Sequence, residues 1–168
     1  SPLLYDMDKD GDLDLILATN GDYGITKELA DYLVYYENIG DKNKAVFQLK
    51  NENYLGLKKD SIRRLSPCLG DLNRDGNPEL LGGRLNGSLS LYNITGTGST
   101  ASATKLSDNT YGIQLDNAST PYLADIDGDD YIDLAVGSYA GSTTYYKNKS
   151  TTDVPDFVKQ QDTMGGIL

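Results

Sequence analysis

An all-β fold made of about three tandem units of short strands is what this sequence predicts, on three observations. A set of landmarks recurs in one order at intervals of about 55 residues along the 168-residue chain. Between the landmarks lie runs of strand length, rich in Leu, Val, Ile and Tyr, that alternate or are wholly apolar. Asn-Gly, Gly-Asp and Gly-Ser punctuation separates them, and only one stretch, ITKELADYL, has the character of a short helix.

Taken in order, the units open on SPLLYDMDKDGDLDLILATNGD, SPCLGDLNRDGNPELLGGRLNG and TPYLADIDGDDYIDLAVGSYAG. Each has a Ser/Thr-Pro entry (Pro2, Pro67, Pro121), then an acidic loop, an apolar run and a glycine. The first strand after each loop is LDLILAT, PELLGGR or IDLAVGS, and the next is LVYYENIG, LSLYNIT or TTYYKNKS. These align Asn38, Asn93 and Asn148, then Phe47, Ala103 and Phe157, then Gly56, Gly112 and Gly166. The repeats run over about 1–65, 66–119 and 120–168.

Units of ~50 residues with about four strands each are the signature of β-propeller blades. Since closure typically takes ~4–8 blades, three loops imply a partial propeller. The first loop is expected to arrive at Ser1 with no strand before it, so the segment would begin and end inside a larger array, its remaining blades supplied by the parent protein.

Composition removes several function classes. There is no histidine and a single cysteine, Cys68, so Ser-His and Cys-His catalytic sets, the usual zinc sites and an intrachain disulfide are excluded. No segment approaches the ~18 apolar residues of a membrane span, and any leader is expected upstream of Ser1 or already removed. The net charge of −10 is concentrated: windows 6–14, 71–79 and 125–133 hold 13 of the 25 acidic residues and only two basic ones, Lys9 and Arg74. The rest of the chain is close to neutral and carries no basic footprint for nucleic acid.

The three windows therefore need a physical reason. Counted from the first acidic residue, positions 1, 3, 5, 7 and 9 are Asp6, Asp8, Asp10, Asp12 and Asp14 in loop one. They are Asp71, Asn73, Asp75, Asn77 and Glu79 in loop two, and Asp125, Asp127, Asp129, Tyr131 and Asp133 in loop three. Odd-numbered side chains of a tightly curled loop converge, and convergent carboxylates repel one another unless a cation sits among them. A hard cation that takes six to eight oxygens, calcium, fits such a loop. An EF-hand would add a bidentate Glu at position 12, where this chain has Leu17, Gly82 and Val136 before strand-like segments, so that reading fails.

The pattern Asp-x-Asp-x-Asp-Gly-x-x-Asp before a β run, followed by YYEN and a later Phe, resembles the FG-GAP/VCBS repeat family, the calcium-binding blades also found in integrin α-subunit propellers. The resemblance covers nearly the whole chain. It implies up to three Ca2+ sites, with side-chain ligands at positions 1, 3, 5 and 9 and the backbone carbonyl of Asp12, Asn77 or Tyr131 at position 7. Loop two departs most, with Asn73, Pro78 and Glu79, and is expected to bind most weakly. Loop three has Asp130 where glycine is expected, which requires Asp to accept a left-handed backbone.

Of the tyrosines, pairs such as Tyr35/Tyr36 and Tyr145/Tyr146 are expected to put one ring into the sheet interface and the other outward. Lys58, Lys59, Arg63 and Arg64 read as solvated surface. Sequons at Asn93 and Asn148, and Asp-Ser/Thr-x motifs at Asp60 and Asp162, are potential glycosylation sites. No nucleophile elbow, phosphate loop or HExxH is present, so a non-enzymatic role is expected. The resemblance implies an extracellular or cell-surface propeller segment that binds a protein or glycan, in the style of large exported bacterial proteins such as those of Bacteroidetes-type secretion systems. A propeller polysaccharide lyase or a lectin, with functional residues outside this segment, is the alternative.

Overall fold

The computed structural model describes residues 1–19 and 30–161. The first part of the helix candidate ITKELADYL, the aligned Gly166 and the Asp162 motif lie outside the described residues, while Leu33 begins a strand.

The described residues form three four-stranded antiparallel sheets, each in simple meander order, as tandem propeller-like blades require. Blade one comprises β1 (Pro2–Tyr5), β2 (Asp14–Ala18), β3 (Leu33–Asn38) and β4 (Phe47–Tyr54). Blade two comprises β5 (Ser66–Gly70), β6 (Glu79–Gly83), β7 (Leu89–Thr95) and β8 (Ser102–Ser107). Blade three comprises β9 (Ser119–Ala124), β10 (Asp133–Ser138), β11 (Thr143–Asn148) and β12 (Phe157–Gln161). Helical structure among the described residues is limited to single 3-10 turns at Leu57–Asp60, Gly98–Thr100 and Thr110–Gly112.

One expectation is corrected at once: β1 does precede loop one, pairing with β2 from Pro2 opposite Leu17 to Tyr5 opposite Asp14. Four residues led by a proline, with no fully buried position, leave little apolar signal to read. The acidic loop is thus the connection between the first and second strands of every blade.

Burial explains the sequence patterns. β2 alternates buried and half-buried positions, whereas all of β6 is buried, and after Glu79 its residues are apolar on both faces. β4, outermost in its sheet, is exposed along most of its length and correspondingly polar.

The chain divides into two compact units, Ser1–Leu65 with Ile94–Thr104, and Ser66–Asn93 with Lys105–Leu168. The first unit is built on Ile16, Leu33, Tyr35, Tyr54, Leu57 and Ile62, all fully buried, with the Tyr35 and Tyr54 rings stacked at 4.6 Å. The Tyr54 hydroxyl donates to Gly98 O at 3.1 Å, giving the buried phenol an acceptor. The second unit is organised around Cys68, Leu81, Leu89, Ile113, Leu134, Val136 and Tyr146, with Tyr111 edge-on to Phe157 at 4.8 Å. Here β6 and β9 approach so closely that a Cβ at Gly83 would collide with Ser119 O. Truncating a fully buried leucine such as Leu81 would cost ~2–5 kcal/mol.

The tyrosine pairs divide as expected: Tyr35 and Tyr146 are buried and their neighbours Tyr36 and Tyr145 half-buried. Register corrects the asparagine alignment. Leu15, Leu80 and Leu134 pair with Tyr36, Tyr92 and Tyr146, so Asn38 and Asn148 stand two residues past that tyrosine. Asn93 stands one residue past it, opposite Glu79, so it is not the counterpart of the other two.

Candidate metal centres

Each acidic loop bends through two left-handed residues, at positions 4 and 6. These are Lys9 and Gly11, Arg74 and Gly76, and Gly128 and Asp130. Asp130 has φ 66°, so the aspartate does adopt the conformation expected of glycine. Local carboxylate caps hold the bend: Gly11 N donates to Asp6 Oδ2 (3.1 Å), Gly76 N to Asp71 Oδ2 (2.9 Å) and Asp130 N to Asp125 Oδ2 (3.0 Å).

In loop one, Asp6, Asp8 and Asp14 each bring a carboxylate oxygen within 4.8 Å of the others. Asp14 is 1 % exposed and doubles as a fastener. Its Oδ2 accepts from Met7 N (3.0 Å) and the Tyr35 hydroxyl (2.8 Å), and its Oδ1 from Asn38 N (2.9 Å). Asp10 and Asp12 are not part of the convergent trio; Asp10 Oδ1 accepts from Asp12 N at 3.0 Å. Two oxygens stand out: Asp6 Oδ1 and Asp12 Oδ1 are buried with no hydrogen-bond partner. Burial, then the charge of Asp14, raises the Asp8 pKa; burial, then Asp10, raises that of Asp12. Negative charge here is under-compensated by the protein itself, the condition that a bound cation relieves.

Loop three repeats the trio with Asp125, Asp127 and Asp133 within the same 4.8 Å. The fastener recurs as well. Asp133 Oδ2 accepts from Ile126 N (3.2 Å) and the Tyr145 hydroxyl (2.8 Å), and Oδ1 from Asn148 N (2.8 Å). Burial and the bond to Asp133 push the Tyr145 phenol up to about 12. This loop receives a cation from the chain: Lys147 Nζ pairs with Asp127 Oδ2 and, at 2.8 Å, with Asp129 Oδ2. That contact holds Asp129 below the usual carboxylate range and raises the lysine. Arg74 reaches over from loop two, donating to Asp130 O at 2.6 Å with its guanidinium 3.9 Å from the Tyr131 ring centroid.

Loop two has no such carboxylate trio, because position 3 is Asn73. The Asn73 amide donates to Asp75 Oδ2 (3.1 Å) and Glu79 Oε1 (3.0 Å), and Glu79 Oε2 accepts from Leu72 N (2.9 Å). Asn77 N donates to Asp75 Oδ1 at 2.8 Å. Burial, which comes before the neighbouring Asp75 and Asp71, raises Glu79.

The sequence reading missed the tyrosine hydroxyls at Asp14 and Asp133 and the asparagines that follow them. Asn38 Oδ1 accepts from Gly40 N (3.1 Å) and Val46 N (2.8 Å), and Asn148 Oδ1 from Ser150 N (3.1 Å) and Asp156 N (3.0 Å), shaping the turn into the fourth strand. The repeated Tyr-Tyr-x-Asn was the available signal. At 5 % exposure and with its amide engaged, Asn148 offers no room for a glycan. Lys58, Lys59, Arg63 and Arg64 are exposed, as expected.

Away from the loops, the second unit has a cavity of about 590 Å3 at the far end of β10 from Asp133, lined by Gln114, Asn117, Ser138, Tyr139, Thr144 and Lys159 among others. No helix among the described residues is long and apolar enough to cross a membrane.

A model of the FG-GAP-like repeat matches residues 6–82 and again 71–136, each match starting on the first aspartate of a loop. No curated protein and no solved structure matches the chain. Two overlapping matches spanning most of the sequence, over blades of which the first and third gather carboxylates able to hold a metal in their acidic loops, settle its kinship: the chain belongs to the FG-GAP-like repeat family.

Proposed function

We propose that this chain is a calcium-stabilised, extracellular array of propeller blades whose role is to present a binding surface to a protein or glycan. The observation that carries the calcium part is loop one, where three carboxylates converge beside two buried, unpartnered oxygens, Asp6 Oδ1 and Asp12 Oδ1. Asp6, Asp8 and Asp14 would hold the ion, with Asp10 and the Asp12 carbonyl completing the shell, and the ion would neutralise charge that the fold gathers but does not pair.

Extracellular calcium modules bind with dissociation constants of ~10⁻⁴ to 10⁻³ M. At ~1 mM free calcium one such site adds about 0.4–1.4 kcal/mol, a structural contribution that favours a calcium-rich compartment. A cell-surface or secreted setting follows from that reading. The role is binding and not catalysis, since carboxylates committed to an ion and to backbone fastening leave no free acid-base pair in these loops.

The test is a thermal melt of the whole chain in EDTA, in calcium and in magnesium. Calcium alone should raise the melting temperature, and Asp6→Ala should abolish the rise; a folded chain indifferent to calcium would sink the reading. The cavity around Tyr139 favours a lectin as second reading, because an exposed ring among amides and hydroxyls suits a sugar. Glycan binding lost on Tyr139→Ala would support it.

A further inference from the structure

We propose that Lys147 is the built-in cation of loop three, so that this loop closes on the chain's own ammonium where loop one needs calcium. The proposal rests on the calcium reading of loop one, against which loop three is measured.

Loops one and three carry the same trio of carboxylates and the same fastener at position 9, so carboxylate count alone would give them equal calcium affinity. They part at position 7, Asp12 against Tyr131, and at one ladder position on the third strand of the blade. In blade three the residue after Tyr146, the partner of Leu134, is Lys147, whose ammonium bridges Asp127 and Asp129 at loop positions 3 and 5. In blade one the residue after Tyr36, the partner of Leu15, is Glu37. Glu37 pairs outward with Lys50 at 3.2 Å and adds its negative charge to the field on Asp8.

The two loops also differ in burial: Asp6 and Asp8 are half-buried and loop one holds two buried carboxylate oxygens without a hydrogen-bond partner, whereas Asp125, Asp127 and Asp129 are exposed. A calcium ion entering loop three must displace an ammonium from two of its ligand carboxylates and return it to water. The Lys147 side chain is 28 % exposed, so it can leave, but calcium must first compete with it. One residue facing the loop therefore sets whether a blade of this type depends on calcium.

The experiment titrates calcium by calorimetry into the whole chain carrying Asp8→Asn, which disables loop one, with residue 147 either Lys or Met. The Lys147→Met protein should gain a site whose dissociation constant is at least tenfold lower. Equal affinity in the two proteins would overturn the proposal. Failure of the loop-one reading is seen separately, as wild type and Asp8→Asn titrating alike. Should Lys147→Met fold only in calcium, that dependence supports the proposal. Should it not fold at all, the side-chain ammonium resonance of Lys147 in the unmodified protein decides. It should persist unchanged while loop one saturates with calcium, and its disappearance in step with loop one would overturn the inference.

Discussion

Loops one and three are built alike and neutralised differently. Both bend through left-handed positions 4 and 6, both converge three aspartates, and both bury the last of them under a backbone N–H, a tyrosine hydroxyl and the N–H of an asparagine. Yet one leaves buried oxygens unpaired and raises its carboxylate pKa values, while the other draws in a lysine. A repeat motif thus fixes backbone geometry more tightly than electrostatics, because the compensating charge comes from the neighbouring strand and not from the motif itself.

The comparison can be broken most strongly at the shared fastener. Asp14→Ala removes a nearly inaccessible acceptor and strands three buried donors at ~1–3 kcal/mol each, so a loss of at least ~3 kcal/mol is expected in denaturant unfolding, and Asp133→Ala, of whose three donors only Asn148 N is buried, should lose less. The same two losses with and without calcium would show that the fastener acts independently of the cation. Deleting one donor should cost less: Tyr35→Phe about 1–1.5 kcal/mol, with Tyr145→Phe at or below the low end, because Tyr35 is fully buried and Tyr145 is not.

Acid sharpens the contrast, because the signs are opposite. In EDTA, Asp8 binds its proton more tightly in the folded state, so its contribution to stability falls as pH rises from its unfolded pKa through the raised folded one. Asp129, held down by Lys147, contributes stability that is present above its unfolded pKa and lost as pH falls through the lowered one. Unfolding free energies across the acid range should therefore flatten on the high side for Asp8→Asn and on the low side for Asp129→Asn. Saturating calcium should reverse the Asp8 response and leave that of Asp129 alone.

The smallest expected effect lies in the bend. Lys9→Gly relieves a left-handed lysine at φ 65° and should stabilise by up to ~1 kcal/mol, less the entropy glycine adds to the unfolded chain. Asp130→Gly should gain less, since aspartate tolerates that region. A loss in either case would mean that the side chain does more than occupy the turn.

Much of this was legible beforehand. The three acidic loops, the apolar second strand of each blade and the left-handed Asp130 follow from spacing and residue type. What escaped depends on pairing across strands. β1 is too short and too exposed to announce itself, and Asn93 matches Asn38 in letters while its ladder is offset by one residue. Lys147 was visible in TTYYKN, but only the register of β10 against β11 puts it over loop three.

The fastener also constrains how a blade assembles. Asp14 receives bonds from the loop that precedes it, from the middle of β3 and from the end of β3, so no two-stranded fragment can satisfy it. Until the third strand docks, an ionised group sits half-dressed at the start of the second. Blades one and three should therefore each form as a single cooperative step, and a fragment or chimera cut between the second and third strands of either should fail to fold where one cut outside the blade succeeds.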